Sequence, residues 1–422
     1  MTQQKIIFLG SFGTPNLGNE CTLHAILRSA RTFLPGALLE CICPYPAAAA
    51  ARHNIPTHQM SYRNAEGHTS SVRARHSYAV IRFLRRIFYR IPREVIECAR
   101  AFRTLRGTSM LVMPGTGMLG AYGTHHFGVH YELVKWSIIA KLRGCTILFV
   151  SVGGGRLKHP LSRWLIKSAL SLADYRSYRD AFSKEYLESI GFDTSGDFVY
   201  PDLAFSLPRP DSAETDDHAS GRVIGIGVMD YYSKEHGGEY GERLYRQYLE
   251  RVTSFVIWLL EHTYTVQLLI GDLVYDERVR HDVLEMVKKR AVYEDGQLIS
   301  EPVFSVEQLL AQLATTDIVV ASRFHNVLLA LMLNKPVISI SYDEKNDSLM
   351  TQFGLAEYRH SIERIDVDEL VKQFITLEES TKSVKSHIKH KVEEFRRALE
   401  AQYESIFNKR DCATAPTSQP AV

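Results

Sequence analysis

Ile318-Val319-Val320, followed across Ala321 by Ser322-Arg323-Phe324-His325-Asn326, opens into an apolar segment from Val327 to Leu333. The first run is short and wholly apolar, the pattern of a strand buried on both faces. The segment behind it predicts a helix over 324–333. A buried strand that feeds a helix within a few residues is the repeating unit of a parallel sheet covered by helices.

The unit recurs in both directions along the chain. At the start, Lys5-Ile6-Ile7-Phe8-Leu9 is a strand run, broken by Gly10, Gly13, Pro15, Asn16 and Gly18. From Glu20 to Phe33 the apolar Leu23, Ile26, Leu27 and Ala30 recur at helical spacing, with Glu20 where a helix N-terminus favours acid. Further strands are predicted over 38–43, 110–113, 145–152 and 175–178, and helices over 130–142, 160–172 and 180–189. Residues 208–221 are polar and acidic, a linker composition. Beyond them the alternation restarts, with strands over 223–228, 266–270, 318–320 and 336–340 and helices over 241–262, 276–290 and 305–314. One long charged helix over 381–408 follows, with Ile388, Val392, Phe395, Leu399, Tyr403 and Ile406 on a single stripe.

The expectation is an α/β protein of two Rossmann-like lobes with a central cleft, where ligands commonly bind. An N-terminal lobe covers 1–207, a linker 208–221 and a C-terminal lobe 222–378. A C-terminal helix over 379–409 and a disordered tail over 410–422 complete the chain.

Composition excludes several function classes. Hydrophobic residues make up 45% of the 422 and charged residues 23%, ordinary values for a globular protein. The formal net charge of +2 is not that of a nucleic-acid binder. No stretch reaches the roughly 18 uninterrupted apolar residues of a membrane span, and the run Ile6 to Leu9 lacks the features of a signal peptide. Six cysteines show neither zinc spacing nor a dense disulfide framework, so a cytoplasmic location is expected.

The strongest candidate site lies at the opening turn. Residues there sit at a strand's carboxyl end and a helix N-terminus, where unpaired N–H groups favour anions. Arg323 adds a guanidinium fork suited to carboxylate or phosphate, and His325 a group that titrates near neutral pH. Lys345, after the strand that ends at Ser341-Tyr342, supplies a further cation. Arg179 leaves another strand end in Tyr178-Arg179-Asp180-Ala181-Phe182-Ser183; Asp180 and Ser183 are explained by helix capping, Arg179 is not.

Two glycine-rich loops let backbone approach a ligand closely, Gly115-Thr116-Gly117-Met118-Leu119-Gly120 and Val152-Gly153-Gly154-Gly155. The first matches G-x-G-x-x-G, but no helix starts promptly behind it, which weakens a dinucleotide reading. His125, His126 and His130 lack a carboxylate or cysteine at supporting spacing, so no metal is expected there. Lining of an acceptor pocket by one of them is the better expectation. Between Arg73 and Arg106 stand ten arginines and two acids, Glu94 and Glu97, interleaved with apolar residues. Such a segment suits peripheral contact with an anionic membrane, at the inner face of the cell membrane.

Six of these segments, in order, resemble the polysaccharide pyruvyl transferase family from about Ile6 to about Tyr358. They are Gly10-Ser11-Phe12-Gly13 through Asn16-Leu17-Gly18-Asn19-Glu20, then Pro114-Gly115-Thr116-Gly117-Met118-Leu119, and Tyr178-Arg179-Asp180 with Ser183. Pro201-Asp202-Leu203-Ala204-Phe205, Ser322-Arg323-Phe324-His325, and Tyr342 with Lys345 complete the series. Asn19 departs from the aspartate usual in the first of them.

The resemblance implies a glycosyltransferase-B-like fold and transfer of pyruvate from phosphoenolpyruvate to a sugar as a cyclic ketal. It implies phosphoenolpyruvate as co-substrate, held by Arg179, Arg323, His325 and Lys345, with no metal or further cofactor. His325, with a pKa near 7, would act as general acid and base beside Arg323. The acceptor, a sugar that is free or lipid-linked, would meet Asn16, Asn19, Glu20, Gly115, Gly117 and His125. Two other readings fit the residues: a nucleotide-sugar glycosyltransferase of the same architecture, and a non-catalytic sugar-binding member of a polysaccharide assembly complex.

Overall fold

Apolar runs of four to seven residues become strands because both of their faces are covered. Ile6 to Leu9 and Ile318 to Ala321 are almost wholly shielded from solvent. The computed structural model describes residues 3–61, 79–120, 128–157, 159–210, 222–231 and 238–408. The predicted tail and most of the predicted linker lie outside these residues.

Among the described residues there are two sheets. The first has the strands β1 (Lys5–Leu9), β2 (Leu38–Cys43), β3 (Thr57–Gln59), β4 (Thr108–Pro114), β5 (Thr146–Val152), β6 (Tyr175–Tyr178) and β7 (Phe198–Val199), in the order β3-β2-β1-β4-β5-β6-β7. The second has β8 (Val223–Gly227), β9 (Thr265–Leu269), β10 (Leu298–Ile299), β11 (Ile318–Ala321), β12 (Val337–Ser341) and β13 (Arg359–Ser361), in the order β10-β9-β8-β11-β12-β13. Every neighbouring pair in the second sheet runs parallel. The strand order reverses once in each sheet, between β1 and β4 and between β8 and β11. In open parallel sheets such a reversal leaves a crevice at the carboxyl ends of the two strands, where ligands bind.

The helices begin where the sequence supplies caps. Ser305, Asp343 and Asp366 each accept a backbone N–H from the first turn of the helix that follows. The stripe on the last helix, Thr381–Phe407, is buried from Ile388 to Ile406. Phe395 meets Phe205 and Phe353 at ring-centroid distances of 5.1 and 5.2 Å. This aromatic cluster anchors the C-terminal helix to the second sheet's unit.

The division by contacts differs from the one drawn by sequence. One unit contains Met1–Thr14, Ala30–Tyr178 and Leu187–Phe198, the other Pro15–Ser29, Arg179–Tyr186 and Val199–Val422. Two short pieces of the N-terminal half therefore belong with β8–β13. Backbone hydrogen bonds show why for the first: Leu17 N–H donates to the Gly271 carbonyl at 3.0 Å, and Leu273 N–H to the Pro15 carbonyl at 2.9 Å.

The basic segment forms the helix Ala79–Thr104, with Pro92 inside it; residues 73–78 lie outside the described set. Glu94, Glu97 and Glu132 surround Lys135 where this helix meets Val129–Leu142. The two acids of the basic segment thus join a buried cluster around Lys135, and Glu97 also pairs with Arg93 at 3.7 Å. No helix among the described residues is long and apolar enough to cross a membrane.

Candidate active site

The reversal between β8 and β11 places Gly227 and Ala321 side by side, so Ser322-Arg323-Phe324-His325-Asn326 emerges at the crevice. Ser322 N–H continues the ladder to the Gly227 carbonyl at 2.9 Å. Its hydroxyl meets Tyr248 Oη at 3.1 Å, and its carbonyl accepts from Asn346 Nδ2 at 3.1 Å. The turn is therefore fixed on three sides before its reactive residues are reached.

Arg323 stands at the cap position of the helix Phe324–Met332 with extended backbone angles. The guanidinium does not project as an unpaired fork. Its Nε donates to Asp276 Oδ2 at 2.8 Å and its Nη2 to Asp276 Oδ1 at 2.5 Å, and both residues are buried. Burial works against the guanidinium's charge, but Asp276 more than offsets this and the pKa is raised. Arg323 is permanently charged and rigidly aimed, with Nε and Nη2 already committed.

His325 occupies the first turn of the same helix, against the segment that joined this unit from the N-terminal half. A methyl group on Gly18 would lie 2.0 Å from His325 Nδ1, so the imidazole rests on bare backbone. His325 Nε2 is buried and has no hydrogen-bond partner among the described residues. Burial, followed by the charges of Arg179, Lys345 and Arg323, pushes its pKa down to about 3. This corrects the expected pKa near 7: with three cations about it and no anion among them, the imidazole is neutral at physiological pH. Gly18→Ala should drive the ring from its seat and lower turnover by at least about tenfold, with a destabilisation of roughly 1–3 kcal/mol from overpacking. Steady-state rates and a thermal melt measure both; unchanged kinetics would mean the ring has another resting place.

The other two cations come from different elements. Arg179 leaves β6, is buried, and donates from Nη1 to Asp202 Oδ2 at 3.3 Å; its guanidinium lies 4.4 Å from the centre of the Phe324 ring. Asp180 beside it caps the next helix by accepting from Ser183 N–H at 2.6 Å. Lys345 follows the cap Asp343, and its Nζ lies 4.7 Å from the centre of the Tyr342 ring. Its side chain is 18% exposed, which makes it the most accessible of the three.

The remaining expected residues divide. Asn16 and Glu20 lie in the second unit with Gly18: the Asn16 side chain accepts from Gly18 N–H at 3.0 Å, its backbone bridges to Asp272, and Glu20 is buried. Asn19 N–H donates to the Asn16 carbonyl in the same turn. Gly115 and Gly117 lie in the first unit, at the carboxyl end of β4 beside that sheet's reversal. Gly115 N–H donates to the Val150 carbonyl, and the Cα of Gly117 faces open space. His125 and His126 lie outside the described residues, and His130 Nε2 donates to the Gly120 carbonyl at 3.2 Å.

Sequence reasoning missed two residues. Asp276 is fully buried and, besides Arg323, accepts the backbone N–H groups of Asp230, Gly271 and Asp272 at 2.8–3.1 Å. The acid five residues beyond Gly271, just past a strand end, was the available signal. Asn326 is fully buried, and neither amide atom has a hydrogen-bond partner among the described residues. It fits only because Gly227 and Gly271 carry no side chains, each of which would bring a carbon within 3.0 Å of the amide.

Two parallel sheets flanked by helices, with a long C-terminal helix, define the glycosyltransferase-B class of fold, and solved structures agree. UDP-GlcNAc 2-epimerase from Neisseria meningitidis, bound to UDP-GlcNAc, matches with TM-score 0.59 and 10% identity over 96% of this chain and 100% of that one. Anabaena HepE in complex with UDP matches with TM-score 0.56 and 12% identity over 96% and 99%. Acinetobacter baumannii MurG matches with TM-score 0.50 and 10% identity over 96% and 99%. No curated protein sequence matches the chain. The polysaccharide pyruvyl transferase family model matches residues 76–344, more than half of the chain, and the chain belongs to that family.

Proposed function

We propose that this protein transfers pyruvate from phosphoenolpyruvate to a sugar as a cyclic ketal, in the biosynthesis of a cell-surface polysaccharide or exopolysaccharide. The observation that carries the reading is the convergence of three cationic side chains, Arg179, Lys345 and Arg323, on the imidazole of His325. Phosphoenolpyruvate brings a carboxylate and a phosphate, and burying both requires several cations.

The residues divide the work. Arg179, Arg323 and Lys345 hold the donor's charges, the two arginines from positions fixed by Asp202 and Asp276. His325 moves the protons. A proton added to C3 of the donor turns its methylene into a methyl group and leaves an oxocarbenium-like centre at C2. One acceptor hydroxyl bonds there, phosphate leaves with the oxygen of the broken C2–O bond, and the second hydroxyl closes the ring. Of the two hydroxyl protons, one replaces the proton given to C3 and the other departs with phosphate. The chemistry calls on phosphoenolpyruvate as co-substrate and on no further cofactor.

Asn16, Asn19 and Glu20 in the turn beside His325, and Gly115 and Gly117 at the other sheet's reversal, are the proposed acceptor contacts. Contact with an anionic membrane through 73–106 belongs to the same proposal, supported by Arg93, Arg100, Arg103 and Arg106 lying exposed with Val95 and Ile96.

Thermal stability in the presence of phosphoenolpyruvate, UDP, GDP and NAD tests the donor directly. Phosphoenolpyruvate at 100 times its dissociation constant should add about 2.7 kcal/mol, and the other three nothing. Lys345→Met, which removes the least buried of the three cations, should weaken phosphoenolpyruvate about 10- to 100-fold, the worth of a charged hydrogen bond. A shift with UDP alone would establish the glycosyltransferase reading, and no shift with any ligand the non-catalytic one.

A further inference from the structure

A cavity of about 440 Å³ opens in the second unit at the carboxyl ends of β12 and β13, a volume typical of small-molecule sites. One wall is aromatic: Tyr231 and Tyr342 lie with ring centroids 5.8 Å apart and planes inclined at 54°. Asp343 and Asp347 line it from the start of the helix Glu344–Gln352, and His360 and Glu363 from β13 and the residues behind it. We propose that this cavity is a sugar subsite that receives a pyranose ring of the acceptor, resting on the pyruvyl-transfer reading above.

Charge separates this cavity from the donor site. Arg359 is the only cationic side chain among its lining residues, and Asp347 already lies 3.5 Å from it. The Glu363 carboxylate has no hydrogen bond or ion pair among the described residues. A second phosphate or carboxylate would meet net negative charge, whereas sugar hydroxyls donate to carboxylates in short, strong bonds. The tyrosines are in contact with each other, so no nucleobase fits between them, and as lining residues they give the cavity the apolar surface on which a sugar's C–H groups lie.

His360 also lines the cavity, is 8% exposed, and lies beside Gln373 and Glu369 of the helix Val367–Glu379 and its cap Asp366. Burial lowers its pKa, which keeps the ring in the neutral form that can donate or accept. Tyr342 links the cavity to the donor site: its ring lines the cavity, carries Lys345 on its face, and feels the charges of Arg323 and Arg179. A ring seated here would stand next to the cations that hold the donor.

Saturation-transfer NMR on the full chain, with methyl glycosides of glucose, galactose, mannose and N-acetylglucosamine and with UDP as probes, tests the assignment. At least one glycoside should receive saturation, and its affinity should fall about 10-fold in both Glu363→Gln and Asp347→Asn, the loss of one charge-assisted bond. Glu363 is exposed, so its variant folds as the parent does and keeps the phosphoenolpyruvate-dependent thermal shift. Transfer to no glycoside, or transfer that neither variant weakens, overturns the proposal. Transfer to UDP that both variants abolish overturns it too, by making the cavity a nucleoside pocket. Variant-sensitive sugar binding without any phosphoenolpyruvate shift in the parent would leave the subsite standing and remove the donor reading instead.

Discussion

A His325→Gln protein is expected to bind phosphoenolpyruvate about as the parent does and to turn it over roughly 10²–10⁴-fold more slowly, the usual contribution of a positioned acid–base group. In the proposed reaction the donor's charges are held by Arg179, Lys345 and Arg323, which this substitution leaves in place. What it removes is the imidazole nitrogen proposed to carry the proton. Turnover within threefold of the parent would end the role assigned to His325.

The low pKa adds a second, sharper expectation. In the empty site His325 is neutral because burial and three cations all disfavour its charged form. A bound donor brings negative charge among those cations, which reverses their effect on the ring and raises its pKa. Binding near neutral pH should therefore take up protons at His325, arming it as an acid only when the donor is present. Calorimetry in two buffers of different ionisation enthalpy reads that uptake, and subtraction of the His325→Gln result removes the donor's own protonation. Equal uptake in both proteins would show that the ring stays neutral. For the empty protein the sign on stability is the opposite of a paired histidine's. Its folded pKa lies below the unfolded value near 6.5, so the unfolded chain binds the proton first and stability declines as pH falls from about 6.5 towards 3.

The alternation of strands and helices was legible because each strand is buried on both faces and reads as an uninterrupted apolar run. Strands predicted over 38–43 and 175–178 coincide with β2 and β6, and the helix over 276–290 begins one residue early. The short edge strands β3, β7, β10 and β13 were not legible. They have two or three residues each, all but one of them at least partly exposed, and sequence patterning cannot distinguish so few residues from loop. In the candidate site, Arg179, Arg323, His325 and Lys345 were candidates from their positions at strand ends, but their partners were not legible. Asp202 and Asp276 are distant in sequence from the arginines they hold, and an ion pair across 23 or 47 residues leaves no local trace. The pKa of His325 was misjudged for the same reason, since burial and then three cations from three elements set it.

Asp276→Asn is expected to destabilise the protein by about 3–5 kcal/mol, the range for breaking a buried ion pair by removing one partner, and to weaken phosphoenolpyruvate in whatever folds. One carboxylate oxygen accepts from Arg323 Nη2 and Asp230 N–H, the other from Arg323 Nε, Gly271 N–H and Asp272 N–H. An amide must turn its NH₂ towards one of these two groups, so at least two donors lose their acceptor whichever way it lies. Arg323 loses the only carboxylate its guanidinium bonds among the described residues. Against a total stability of roughly 5–15 kcal/mol this is a large loss, and a urea titration should show it as a lower midpoint at unchanged slope. An unchanged midpoint would mean the five bonds do not act together. The effect on the donor follows from the same geometry. Gly271, held by Asp276, in turn accepts from Leu17 N–H and so fixes the turn that carries Gly18 beneath His325. Asp276 touches no reacting atom, yet it sets the aim of Arg323 and the floor under the imidazole. A loss of donor affinity in the folded fraction, beyond anything the midpoint explains, is the result that marks it as a positioning residue.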